Sequence, residues 1–442
     1  MNVPYALIAP ALLTAATVTY VVTGSGPHLP RDAAAEPGTT LSETATSMAA
    51  DSPTPLPTHE PASTPTRDLP DALPDGVSGS LTYRTGHELV TVAFPSMDTS
   101  REPDPGVTPG DVSADGLWRE QTSSCAPGTS CYFEFFSADG AQHTTVLLAD
   151  YPGQPKWSLQ GHTLAFATTP YGAPAARNLV VIDDPASPKP RVLPGDPRID
   201  APNITDFAWM ADGRSLLVAR GDATHAALFQ TDILSGDERP IAKLSELPNF
   251  LYPSPDHSQF AFTGSSAAGW HLYVFDPARP FDVRDLGPMG SDGPGATPVP
   301  SVPDVKGPMY VAWSPDSTRL AFGGGFEPPY FMTTVDVRSG RTVRTEFPDG
   351  YPGEIKWSPD GTRLAVSSYN IPRTHHESYL VDPATGAATD VLSGCVIVWS
   401  PDSRFLAIHG EKTPGVAIAD VVTLQHAQLT NVVGDTPLRW EP

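Results

Sequence analysis

Six aspartates recur in one local setting along the chain. Asp115, Asp212, Asp256, Asp316, Asp360 and Asp402 each close a short segment of the Trp-Ser-Pro-Asp-Gly type. Carboxylates repeated in register could act as acids, bases or cation ligands. Their neighbours assign them a smaller task. Proline presets φ, aspartate accepts backbone hydrogen bonds, and glycine takes the left-handed position, so turn chemistry accounts for all six. Cys125 and Cys131 flank Ala-Pro-Gly-Thr-Ser, and in an oxidising compartment they are expected to pair as a disulfide. Cys395 opens the apolar run Cys395-Val396-Ile397-Val398 and reads as a buried thiol. His375-His376-Glu377 offers metal-ligating atoms. Adjacent histidines do not easily face one ion, and no further ligands converge, so neither metal nor cofactor is expected. Lys156, Lys356 and Arg439 each stand immediately before an aromatic residue of the repeat. Converging at a channel mouth, they would form a positive site for an anionic ligand or an acidic partner segment. The competing expectation pairs each with a carboxylate of the neighbouring repeat unit.

The elements that position these residues follow from the repeat. Its plainest copies are Trp357-Ser358-Pro359-Asp360-Gly361, followed by Leu364-Ala365-Val366, and the copies beginning at Trp313 and Trp399. Weaker copies begin at Trp157, Trp209 and Tyr252, and a degenerate one is Val112-Ser113-Ala114-Asp115-Gly116. Trp440-Glu441-Pro442 opens one more. Successive starts are 45, 52, 43, 61, 44, 42 and 41 residues apart. A period in the low forties is the length of one four-stranded propeller blade. Thr169 to Asn178 and Arg279 to Pro308, rich in Pro and Gly, read as loop insertions that stretch the two long intervals. Third strands such as Tyr379-Leu380-Val381 lead to a second turn, seen clearly at Asp382-Pro383-Ala384-Thr385-Gly386. The expectation is an all-β propeller of eight blades, or seven should the region around Val112 not form its own. Closure is expected where Trp440 begins an innermost strand and pairs with the hairpin Ser80–Tyr83 and Glu88–Val92, leaving no open sheet edge.

The motif Trp-Ser-Pro-Asp-Gly-x-x-Leu-Ala-Phe resembles the repeat of TolB-type propellers, which also occurs in the propeller domains of prolyl oligopeptidase-like enzymes. The resemblance covers about Asp71 to Pro442. It departs from TolB in having a linker where that protein carries a small α/β domain. It departs from the oligopeptidases in having no Gly-x-Ser-x-Gly elbow and no following hydrolase domain. What the resemblance implies is a scaffold that binds protein or peptide.

Composition bounds the rest. With 51 prolines, 37 glycines and only 17% charged residues, the chain favours short strands joined by turns over helices. A formal net charge of −23 argues against nucleic acid, which needs a cationic face. Arginine exceeds lysine, and alanine, proline and glycine abound, the mark of a GC-rich bacterial genome. Val3 to Val22 is an uncharged apolar run, so residues 1–23 read as a signal peptide or an uncleaved signal anchor. Residues 24–70, rich in Pro, Thr, Ser and Ala, read as a disordered linker, and 71–442 as the propeller. The expected protein is extracytoplasmic, touches the membrane only through its N-terminal segment, and carries a monomeric propeller. Its expected function is non-enzymatic recognition of an envelope protein or peptide through the propeller face or channel mouth. The alternative is a lyase or hydrolase acting on a sugar or lactone in the channel. A third expectation is a sensor of an envelope ligand for another membrane protein.

Overall fold

Each copy of the repeat lays down its own antiparallel sheet. The computed structural model describes residues 73–442 apart from 105–111, 123–130, 149, 171–174, 177, 194–202, 222–224, 267–268, 289–309, 325–328, 349, 370–375, 393, 395, 410–414, 431 and 433–435. The N-terminal segment, the linker, Cys125, Cys395 and His375 lie outside the described residues.

Among the described residues there are eight sheets. Blade 1 orders Asp98–Pro103, Glu88–Phe94 and Gly79–Thr85 outside the C-terminal strand Thr436–Glu441. The register sets Leu81 opposite Trp440 and Thr82 opposite Arg439, so the chain ends close one sheet, as the repeat predicts. Blade 2 has Trp118–Thr122, Cys131–Ser137 and His143–Leu148, plus a single bridge from Val112 to Arg119 where an innermost strand would run. The degenerate copy therefore forms its own blade. Blade 3 runs from Tyr151–Pro152 and Lys156–Trp157 to Arg191–Leu193. Blade 4 runs from Ile204–Trp209 to Glu238–Leu244, and blade 5 from Leu247–Pro253 to Val283–Pro288. Blade 6 runs from Val311–Trp313 to Thr342–Phe347, and blade 7 from Tyr351–Trp357 to Ala388–Leu392. Blade 8 runs from Val396–Trp399 to His426–Gln428.

Strand alternation sends successive side chains to opposite neighbours. In blade 7, Trp357, Leu364, Val366, Tyr379 and Val381 pack on Ala312, Ala321, Met332 and Phe347 of blade 6. The intervening Ala365 and Leu380 pack on Trp399, Leu406, Ile408 and Ala419 of blade 8. The repeated tryptophans thus serve inter-blade packing, as expected.

Two details differ from the sequence pattern. Ser254 occupies the turn place of Ser358, so Pro253, not Tyr252, stands where the other copies have tryptophan. The segment from Arg279 is also not all insertion, because Val283–Pro288 within it is the fourth strand of blade 5. Paired backbone beyond an exposed turn outweighed the Pro and Gly content there. The other insertion reaches across to blade 4, where Ile204 N donates to Ala176 O at 2.9 Å.

Candidate functional site

Four antiparallel strands put the first and third turns of every blade at the same end of the propeller, here called the turn face. The first turn is built around a buried serine. Ser358 Oγ donates to Asp360 Oδ1 at 2.6 Å and accepts from Arg363 N at 3.0 Å. Ser113, Ser254, Ser314 and Ser400 make the same pair of bonds with Asp115, Asp256, Asp316 and Asp402. Blade 4 has Met210 in that place, and Asp212 accepts instead from the amides of Arg214 and Ser215 at 2.9 and 2.7 Å. Burial pushes the Asp256, Asp316 and Asp360 carboxyls up. Serine and threonine hydroxyls and the amide two residues on outweigh it, holding all three below the ordinary carboxylate range. The carboxylates are structural, and they are ionised.

A second set of bonds ties blades together. Trp209 Nε1 donates to Lys156 O at 2.8 Å, Trp313 to Tyr252 O at 2.9 Å, Trp357 to Ala312 O at 3.0 Å and Trp399 to Lys356 O at 3.2 Å. Each acceptor immediately precedes the tryptophan place of the preceding blade. Blade 5, with Pro253 there, has no indole to offer. It reaches blade 4 through His257 Nδ1, 2.8 Å from Trp209 O. His257 holds φ +54° where the corresponding Gly361 holds +70°. Trp157 Nε1 has no hydrogen-bond partner among the described residues.

The three predicted cations each meet a carboxylate. Lys156 Nζ donates to Asp206 Oδ1 of blade 4 at 2.8 Å and to Phe207 O at 2.5 Å. Asp206 Oδ2 in turn accepts Leu251 N of blade 5 at 2.8 Å, so one carboxylate links three innermost strands. Lys356 instead pairs with Glu354 of its own strand at 2.8 Å, because blade 8 has Val396 where blade 4 has Asp206. Arg439 lies 3.6 Å from Glu441 of its own strand, both side chains exposed. Cys131 is disulfide-bonded.

At the centre of the turn face lies a hollow of 430 Å³. Pro255, Pro315 and Pro359 rim it, Trp313, Trp357 and Trp399 line it, and Lys356 is its one charged lining residue among those described. Lys156 and Arg439 do not line it. The sequence pattern marked the prolines only as turn formers. The signal for more was present, since four Ser-Pro-Asp copies in register set prolines around one axis, three of which line the hollow. On the outer part of the same end, the third turns of blades 4, 5 and 8 expose Leu234, Phe281 and Val422, each more than 60% accessible.

No protein-family model matches the chain, and no curated protein is similar to it. Solved structures are. The chain is similar over 84% of its length to dihydro-heme d1 dehydrogenase NirN in complex with DHE, covering 76% of that chain at 13% identity and TM-score 0.51. It is similar over 79% of its length to all of the oligogalacturonate lyase of Vibrio parahaemolyticus, at 12% identity and TM-score 0.47. It is similar over 74% of its length to 82% of TolB from Acinetobacter baumannii, at 16% identity and TM-score 0.33. Identities this low bear on the fold alone. The eight sheets and the pairing of the chain ends, taken with the likeness to the NirN chain, make this chain an all-β propeller.

Proposed function

We propose that the protein is a recognition scaffold of TolB type outside the cytoplasm, holding a protein or peptide partner against its turn face and performing no chemistry on it. The observation that carries this is the lining of the central hollow. Tryptophan and proline walls with one paired lysine suit an inserted apolar side chain, the usual anchor of a protein interface. The uncharged run Val3 to Val22 and the disulfide at Cys131 support the compartment. The test places a photo-crosslinking amino acid at Pro315 or Pro359 in a tagged full-length chain in its own cells. One envelope polypeptide, captured from both positions and absent when the cross-linker replaces the remote Glu134, is the expected result. No polypeptide at either position, together with turnover of a sugar or lactone by the purified chain, would overturn the proposal.

A further inference from the structure

The turn face combines its apolar hollow with an unbalanced charge. One residue beyond each rim proline stands an exposed aspartate: Asp256, Asp316 and Asp360, with Asp402 completing the arc in blade 8. Their carboxylates accept only from hydroxyls and amides, and none has an ion pair among the described residues. The outer turns are mixed. Asp232, Asp276 and Asp420 are matched by Arg214, Arg279 and Arg404 at 2.8, 2.9 and 2.9 Å, whereas Asp336 and Asp382, like the inner arc, accept from amides and hydroxyls. Arg319, whose charge reaches Asp316, and Arg363 make their hydrogen bonds elsewhere. Arg319 donates to Gly361 O at 2.6 Å and lies 4.7 Å over the Trp357 ring, and Arg363 donates to Val421 O at 3.0 Å. Within the hollow, Lys356 is already held by Glu354.

We infer that the segment received by the hollow is cationic, an apolar side chain flanked by lysine or arginine whose charges meet the aspartate arc. This rests on the turn face being the recognition surface. The hollow supplies an apolar seat for the plug, and the exposed carboxylates about it, outside any ion pair among the described residues, supply the charge complement. A carboxylate brought to the rim would face the arc within a screening length of about 8 Å at physiological salt, and would be repelled.

The test uses three labelled hexapeptides: Lys-Arg-Pro-Leu-Lys-Arg, its neutral form Ser-Gln-Pro-Leu-Ser-Gln, and its acidic form Glu-Asp-Pro-Leu-Glu-Asp. Fluorescence anisotropy against the full chain at about 20 mM and about 300 mM salt separates charge from plug. The cationic peptide is expected to bind about tenfold more tightly than the neutral one at low salt, losing most of that advantage at high salt. The chain carrying Pro315→Arg and Pro359→Arg should lose about tenfold for the cationic peptide. Glu134→Gln, on blade 2, should change nothing, which separates the arc from general attraction to a chain of charge −23. Thermal midpoints confirm that each variant is folded. Equal binding of the three peptides, no binding of any, or an unchanged affinity in the arginine variant overturns the inference. The cross-linked polypeptide would survive that failure if the turn face recognises a partner of other chemistry.

Discussion

Two junctions of the ring meet at blade 1, and they are built in opposite ways. Toward blade 8, where the chain ends come together, Leu81, Tyr83, Val90, Val92 and Phe94 pack on Val398, Phe405, Ala407 and Ile418. Trp440 seals that core, 5.7 Å from Phe94 and 6.3 Å from Phe405, and its indole donates to Ser78 O at 2.9 Å. Toward blade 2, where the chain simply continues, no buried apolar cluster joins the blades among the described residues. The face of blade 2 turned away from blade 3 is amphipathic instead. Arg119 lies 5.1 Å over Phe136, Phe136 stacks on His143 at 4.5 Å, and His143 meets Glu134 at 3.1 Å. Leu147 on that face is 66% exposed. The contrast has a simple cause. Chain ends fray unless they are tied down, so a closure made by them depends on burial. A junction spanned by the backbone holds at the same place without it.

Substitutions can break that contrast. Trp440→Ala removes an aromatic seal and opens a cavity, and should cost about 3–5 kcal/mol in chemical denaturation. Leu147→Ser, on the open face of blade 2, should stay within about 0.5 kcal/mol. A loss at Leu147 as large as that at Trp440 would show the two junctions to be equivalent. Between these extremes, Trp399→Phe keeps the packing of a clipped junction and deletes one indole bond. It should cost about 1–2 kcal/mol, whereas Trp157→Phe, with no partner to lose among the described residues, should cost less. Acid gives a smaller, collective effect. The folded pKa values of Asp256, Asp316 and Asp360 lie below the ordinary value of an unfolded carboxyl, so these groups stabilise the fold above that value. Their contribution is lost as pH falls through the folded values, and Asp360→Asn should flatten the loss of denaturation midpoint below about pH 4. The last effect belongs to one turn. Burial holds the His257 imidazole below its ordinary value, against the Trp209 carbonyl and Asp256, so its stabilisation is full above about pH 6.5 and declines below it. His257→Asn, which tolerates the positive φ, should remove that slope below about pH 6.5.

What could be read from the residues was the framework. Trp357-Ser358-Pro359-Asp360-Gly361 announces a strand, a turn and a return strand in one stroke, because each residue has a local reason to be there. Eight units and the closing role of Trp440 followed from counting. Blade 5 shows where this stops. Tyr252 resembles the repeat aromatic more than Pro253 does, yet the Ser254 to Asp256 hydrogen bond fixes the register one residue later. The cations were placed correctly on innermost strands, but their partners lay beyond reach. Whether Lys156 crosses to Asp206 or Lys356 turns back to Glu354 depends on what stands three residues before the next blade's tryptophan place. The hollow was hidden for a similar reason. Its walls come from blades 5 to 8 and from the C-terminal strand, and only the curvature of the ring brings them together.

The indole clips end on main-chain carbonyls, at lysine, alanine and tyrosine alike. An acceptor that every amino acid carries makes no demand on the side chain supplying it. Neighbouring units therefore need not have changed in step, and a duplicated unit inserted into the gene would find its attachment point already waiting on whichever unit came before.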